Sequence, residues 1–193
     1  MVSYENIVAN FQKLFGETES PLFVPAAKEE FEKLQRLVGD KASKFLEFYE
    51  RYQPQHGFPP LDCYLNLLDI DSILREHQDL APGIYLAEYG VFVFATTVGG
   101  DVVCIDTNNC KDGDPAVLIA SHTFCAYNED LGCVELYDVP DTVGDAYEDA
   151  AYIPLNYANI KKGMPKIEKS FLKFMDKLSR NKYEDIEEYL DFE

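Results

Sequence analysis

Val91-Phe-Val-Phe-Ala-Thr-Thr-Val-Gly-Gly-Asp-Val-Val-Cys-Ile-Asp106 decides the fold class. Two runs of β-branched and aromatic residues flank Gly99-Gly100-Asp101, and glycine accepts the positive φ that a tight hairpin turn demands. The stretch reads as strand Val91–Thr97, turn, strand Val102–Asp106. Downstream, Ala116–Ala120 is a further strand, and Leu131–Val139 holds one more. Upstream, Cys63, Leu65 and Leu67 alternate as a strand does, and Ile84–Leu86 is expected to be a strand after a Pro82-Gly83 turn. Closely spaced strands joined by short turns predict a mainly antiparallel sheet.

Helices flank this meander. Ile7, Val8, Phe11, Leu14 and Phe15 share one helical face, with Gly16 as the stop. Glu19–Pro25 reads as a loop. Phe31, Leu34 and Val38 mark a second helix ending at Gly39. Asp40 is placed to N-cap a third, which carries Phe45, Leu46, Phe48, Tyr49 and Tyr52 and ends before Pro54. Ile70–His77 is a short helix. The last clear helix is expected to open at Pro165 and run to Leu178 on Ile167, Phe171, Phe174 and Met175, followed by an acidic tail, 184–193, with a short helix through Ile186, Tyr189 and Leu190. Helices and strands segregated along the chain imply α+β, with the helices packed on one face of the sheet.

At 193 residues, with 47% hydrophobic residues, 13 Phe, 13 Tyr and no Trp, the chain can build one sizeable core, so 1–193 is expected to be a single domain. No apolar run approaches the ~20 residues of a membrane-crossing helix, and the opening residues carry no leader pattern. Five Cys, none in a Cys-x-x-Cys pair, read as reduced thiols of a cytoplasmic protein, with Cys63, Cys104, Cys125 and Cys133 in strand-like or apolar settings. Three scattered His offer no metal pattern, and no cofactor is expected.

Charge is the sharpest feature. The net charge is −18, which disfavours nucleic acid or an anionic membrane as partner and suits a basic protein. From Asp112 to Ile160 there is no Lys or Arg, but there are ten acids: Asp112, Asp114, Glu129, Asp130, Glu135, Asp138, Asp141, Asp145, Glu148 and Asp149. Eight bases then follow between Lys161 and Lys182, against Glu168 and Asp176. One reading makes Glu129–Asp149 a docking face that steers in a basic partner. The other folds the acidic segment beside the lysine-rich helix and neutralises it.

Chemical motifs are sparse. Asp106-Thr-Asn-Asn-Cys-Lys-Asp112-Gly-Asp114 resembles a calcium loop but has Cys110 at the fifth position and Val117 at the twelfth, so it reads as a polar turn between strands. Ser121, His122 and Cys125 lie close in sequence without a nucleophile motif. The enzyme alternative is a small hydrolase or metal-dependent enzyme using Asp106, Asp112, Asp114 and His122. A regulatory scaffold is the third reading.

Over residues 25 to 180 the chain resembles the SUKH superfamily, the SMI/KNR-like proteins. The resemblance is carried by Phe45-Leu-Glu-Phe-Tyr-Glu-Arg-Tyr-Gln-Pro-Gln-His-Gly57, by Ile70–His77, by the hairpin ending at Asp106, and by Ser170-Phe-Leu-Lys-Phe-Met-Asp-Lys-Leu178. Val38-Gly-Asp stands where the family usually has Leu-Pro, and the region between Cys125 and Pro165 is long for it. The resemblance implies an α+β fold and, for bacterial members, an immunity protein that neutralises a toxin, often a nuclease. It implies no catalytic residues. The expected partner-binding residues are therefore Glu129, Asp130, Glu135, Asp138, Asp141, Asp145, Glu148 and Asp149, facing a basic toxin.

Overall fold

Three long strands carry the fold: β4 (Val91–Thr97), β5 (Val102–Lys111) and β6 (Asp114–Ala120). In this computed structural model, which describes residues 2–191, they form the centre of a five-stranded antiparallel sheet. Its borders are β3 (Leu65–Leu67) beside β4 and β10 (Lys166–Glu168) beside β6. A two-residue ribbon pairs β1 (Phe23–Val24) with β2 (Gln53–Pro54), and a separate three-stranded sheet holds β7 (Cys125–Asn128), β8 (Cys133–Leu136) and β9 (Ile153–Pro154). The architecture is α+β with antiparallel pairing throughout.

Both faces of the large sheet are apolar, and alternate residues supply them. Phe92, Phe94, Val103, Ile105, Val117 and Ile119 face the helices α1 (Tyr4–Phe15), α3 (Ser43–Tyr52) and α8 (Phe171–Ser179). Phe171 is fully buried there, with ring centroids 5.2 Å from Phe45, 5.7 Å from Phe48 and 5.5 Å from Phe94. Helices α2 (Lys28–Val38) and α4 (Ile70–Glu76) extend this layer through Leu34, Val38, Ile70 and Ile73. Val91, Val93, Val102, Cys104, Leu118 and Ala120 point the other way, into a second cluster beneath the three-stranded sheet.

Helix ends follow the expected chemistry. The Ser3 hydroxyl accepts the Asn6 N–H at 3.2 Å to start α1, and Gly16 and Gly39, at φ 71° and 72°, close α1 and α2. Asp40 does not cap α3. It opens a single 3-10 turn, Asp40–Ala42, and its carboxylate accepts from Gln35 instead. The Glu19–Pro25 loop contains β1.

Three other expectations need correction. Ile84–Leu86 belongs to a short helix, α5 (Gly83–Leu86), because three apolar residues in a row carry no period that separates strand from helix. Pro165 does not open the last helix. Its carbonyl accepts the Ile119 N–H at 3.0 Å, β10 pairs with β6, and α8 begins only after the Ser170 cap. Most of the expected polar turn, Thr107–Lys111, is the distal half of β5, and Asp112-Gly113 alone makes the turn. The tail contains a 3-10 turn, Glu187–Leu190; residues 192–193 lie outside those described.

One border is closed by a side chain. β3 pairs with β4 only as far as Ala95, and the Leu68 N–H then donates to the Phe94 carbonyl at 3.1 Å. Further along, His77 Nε2 accepts the Val93 N–H at 3.0 Å while Nδ1 donates to the Ile73 carbonyl at 2.7 Å. An accepting Nε2 requires the proton on Nδ1, so the ring is held neutral.

Candidate protein-binding face

The acidic segment is an ordered cap over the second face of the large sheet. The β7–β8 hairpin turns at Gly132, at φ 66°, and pairs Cys125 with Leu136 and Asn128 with Cys133. Helix α6 (Asp141–Gly144) and helix α7 (Tyr157–Gly163) complete it. Phe124, Cys125, Leu136, Leu155, Ile160 and Met164 turn inward onto the sheet. Burying them anchors a segment that exposes seven acids, with Lys161 and Lys162 exposed at the end of α7.

Polar bonds lock the cap. Buried Asn159 donates to the Pro154 carbonyl at 2.9 Å and to the Tyr147 hydroxyl at 3.1 Å. Tyr89 donates from the opposite side to the Leu155 carbonyl at 3.0 Å. Tyr157 donates to the buried carboxylate of Asp106 at 2.9 Å.

Seven of the eight expected contact acids are exposed. Glu129 and Asp130 sit on the β7–β8 turn, Asp138 follows β8, Asp141 opens α6, and Asp145, Glu148 and Asp149 follow it. Among the described residues none of the eight forms an ion pair. Among the described residues the lysine-rich segment makes no ion pair with them; its two ion pairs are Lys177 with Glu168 and Arg180 with Asp176. Glu135 differs from the other seven. It is 8% exposed and accepts from the Tyr137 hydroxyl and, at 2.7 Å, from Asn128, which together hold its carboxyl below the usual carboxylate range. It stabilises the hairpin and offers little to a partner.

Residues not singled out from the sequence share this cap. Tyr127, Leu131, Tyr137 and Tyr152 are exposed large side chains among the acids. Exposed tyrosine is enriched at protein interfaces, because the ring gives apolar area and the hydroxyl stays hydrogen-bonded. The signal was present in Tyr127-Asn-Glu-Asp-Leu131 and Glu135-Leu-Tyr137-Asp138.

The alternative constellation is dispersed. Asp106 pairs across the sheet with Ala116, Asp114 sits at the β5–β6 turn, and His122 follows the far end of β6. Six residue steps at about 3.3 Å each separate the two ends of β6. Asp112 is exposed on the same turn as Asp114, and the other three groups have partners: Asp106 accepts from Tyr157 and from the Asn108 N–H, Asp114 from Ser170 and the Leu172 N–H, and His122 lies 3.1 Å from Asp101. Burial pushes the Cys125 thiol up to about 12, so it is no nucleophile at neutral pH. Cys63 and Cys104 are also buried, and none of the five thiols is in a disulfide. Among the described residues no three His, Cys, Asp or Glu side chains gather to hold a metal, and no helix is long and apolar enough to cross a membrane.

Among known proteins, no family model, no curated protein and no solved structure matches this chain.

Proposed function

We propose that this chain is a protein-binding module of the immunity type, which neutralises a basic toxin, nuclease toxins included, through the acidic cap. The observation that carries the reading is the set of seven exposed, unpaired acids on a scaffold without Lys or Arg from Asp112 to Ile160. Such a surface attracts a basic protein over a Debye length of about 8 Å in physiological salt and raises its association rate. Exposed Tyr127, Tyr137 and Tyr152 supply the apolar anchors that charge alone lacks. The resemblance to SUKH proteins supports the same reading, and on that reading the protein acts in the cytoplasm of the cell it guards.

The test compares the wild-type chain with a Glu129→Lys, Asp130→Lys, Glu148→Lys, Asp149→Lys variant as baits in lysate of the native host, at low and high salt. The expected result is a basic protein retained by wild type, released at high salt and lost by the variant, whose toxic activity the wild-type chain suppresses. A basic protein retained equally by both baits refutes the cap as the contact.

A further inference from the structure

Lys44, Lys111, Lys169 and Lys173 come from three distant parts of the chain and line one cavity of about 420 Å³, with Asp112 and Asp114 beside them. Local devices bring them there. Asp112 and Gly113, at φ 54° and 77°, turn the chain from β5 to β6. The turn seats on the start of α3, where the Gly113 carbonyl accepts the Lys44 N–H at 2.9 Å. A Cβ at Gly113 would collide with the Ser43 hydroxyl, and the positive φ there is strained for other residues, so the turn fits best as glycine. Asp114 reaches the start of α8, where its carboxylate accepts the Ser170 hydroxyl and, at 3.2 Å, the Leu172 N–H.

The charge of this cavity runs against that of the chain. The chain has 35 acids and 17 bases, whereas the cavity has four lysines and two aspartates. None of the four lysines forms an ion pair among the described residues, and Asp114 is already engaged at α8. Lys44 and Lys173 also stand in the first turns of α3 and α8, where the helix dipole favours an anion and opposes a cation. Four mutually repelling cations, two of them in the first turns of helices, cost free energy that a bound anion offsets. The acidic cap lies on the opposite face of the large sheet from α3 and α8.

We propose that this cavity is a binding site for a small, multiply charged phosphoryl anion of the di- or triphosphate class. Its volume is within the range of about 300–1,000 Å³ typical of small-ligand pockets. Lysines on several sides match an anion that spreads its charge over linked phosphoryl groups better than a single compact ion.

Calorimetric titration of the full chain with sodium pyrophosphate at constant ionic strength tests this, with sodium sulfate as the control. The expected result is saturable one-site binding, weakened at least tenfold in a Lys111→Gln, Lys173→Gln variant and retained in Lys111→Arg, Lys173→Arg. Both side chains are exposed, so circular dichroism should show an unchanged fold. If the double variant is misfolded, Lys169→Gln alone carries the test with a smaller loss. Heats no larger than those of sulfate, or undiminished binding in the glutamine variants, overturn the proposal. Neither result bears on the acidic cap, whose residues these variants leave intact.

Discussion

His77→Phe removes the side chain that closes the border of the large sheet while keeping an aromatic ring of similar size. The imidazole makes two bonds, accepting from Val93 N–H at 3.0 Å and donating to the Ile73 carbonyl at 2.7 Å, and its centroid lies 5.6 Å from that of Phe92. Phenylalanine keeps the ring contact and orphans both backbone groups. A fully buried group left unbonded costs about 1–3 kcal/mol; these two are part-buried, so His77→Phe should lose roughly 2–4 kcal/mol. His77→Gln preserves an acceptor for Val93 and should lose only about 1 kcal/mol. The histidine also carries a pH signature. Burial lowers its pKa below 6.5, against a smaller opposing effect of the Ile73 bond, and Lys33 and Arg36 of α2 line the adjoining groove. The unfolded chain therefore takes up a proton near pH 6.5 that the folded chain resists. The stabilisation is complete above that pH and is lost as pH falls towards the lower, folded value. Guanidinium unfolding of wild type and His77→Gln from pH 8 to 5.5 should show a stability gap that is widest at pH 8 and closes on acidification. A gap that stays constant, or widens in acid, would refute the assignment of a neutral imidazole.

Three further outcomes are expected. Phe171→Ala should cost about 3–5 kcal/mol in urea unfolding, since it empties the contact between α8, α3 and β4; a loss under about 1 kcal/mol would show that this core collapses freely. Gly113→Ala should lower the melting temperature by the equivalent of about 1–3 kcal/mol, and adding Ser43→Ala should recover the steric part but not the part due to φ 77°. Tyr157→Phe should cost about 1–3 kcal/mol at pH 7 by removing a donor to buried Asp106. Burial and then the Asp106 bond push this phenol up to about 12 from 10.0, so wild-type stability falls as pH rises through that window, and melts there should decline less steeply in the variant.

Where one element buries one face, its period was plain in the sequence. Ile7 and Phe11 mark α1, and Phe45, Leu46 and Tyr49 mark α3, because each stripe meets a single wall. β4, the first half of β5 and most of β6 were equally visible, and their apolar runs are the trace of a sheet buried on both sides, whereas the polar half of β5, Thr107–Lys111, was not. Short elements were misread. Ile167 stands at helical spacing from Phe171 and Phe174, yet pairing with β6 wins over local preference, as the Ser170 cap hints. Of the candidate face, exposure of the acids followed from composition alone. The withdrawal of Glu135 did not, because it depends on Asn128 across the hairpin. The lysine cavity was invisible, since only tertiary structure joins residues 44, 111, 169 and 173.

The large sheet is long in the middle and short at its borders: β4, β5 and β6 run seven, ten and seven residues, while β3 and β10 have three each. Beyond β3, Leu68 and His77 take up outward-facing groups of β4, and β10 shifts register between Lys166 and Glu168. A second molecule seeking to extend the sheet therefore finds no straight run of free amides on which to lay a strand. Truncated margins of this kind remove the template on which edge-to-edge association of sheet proteins begins.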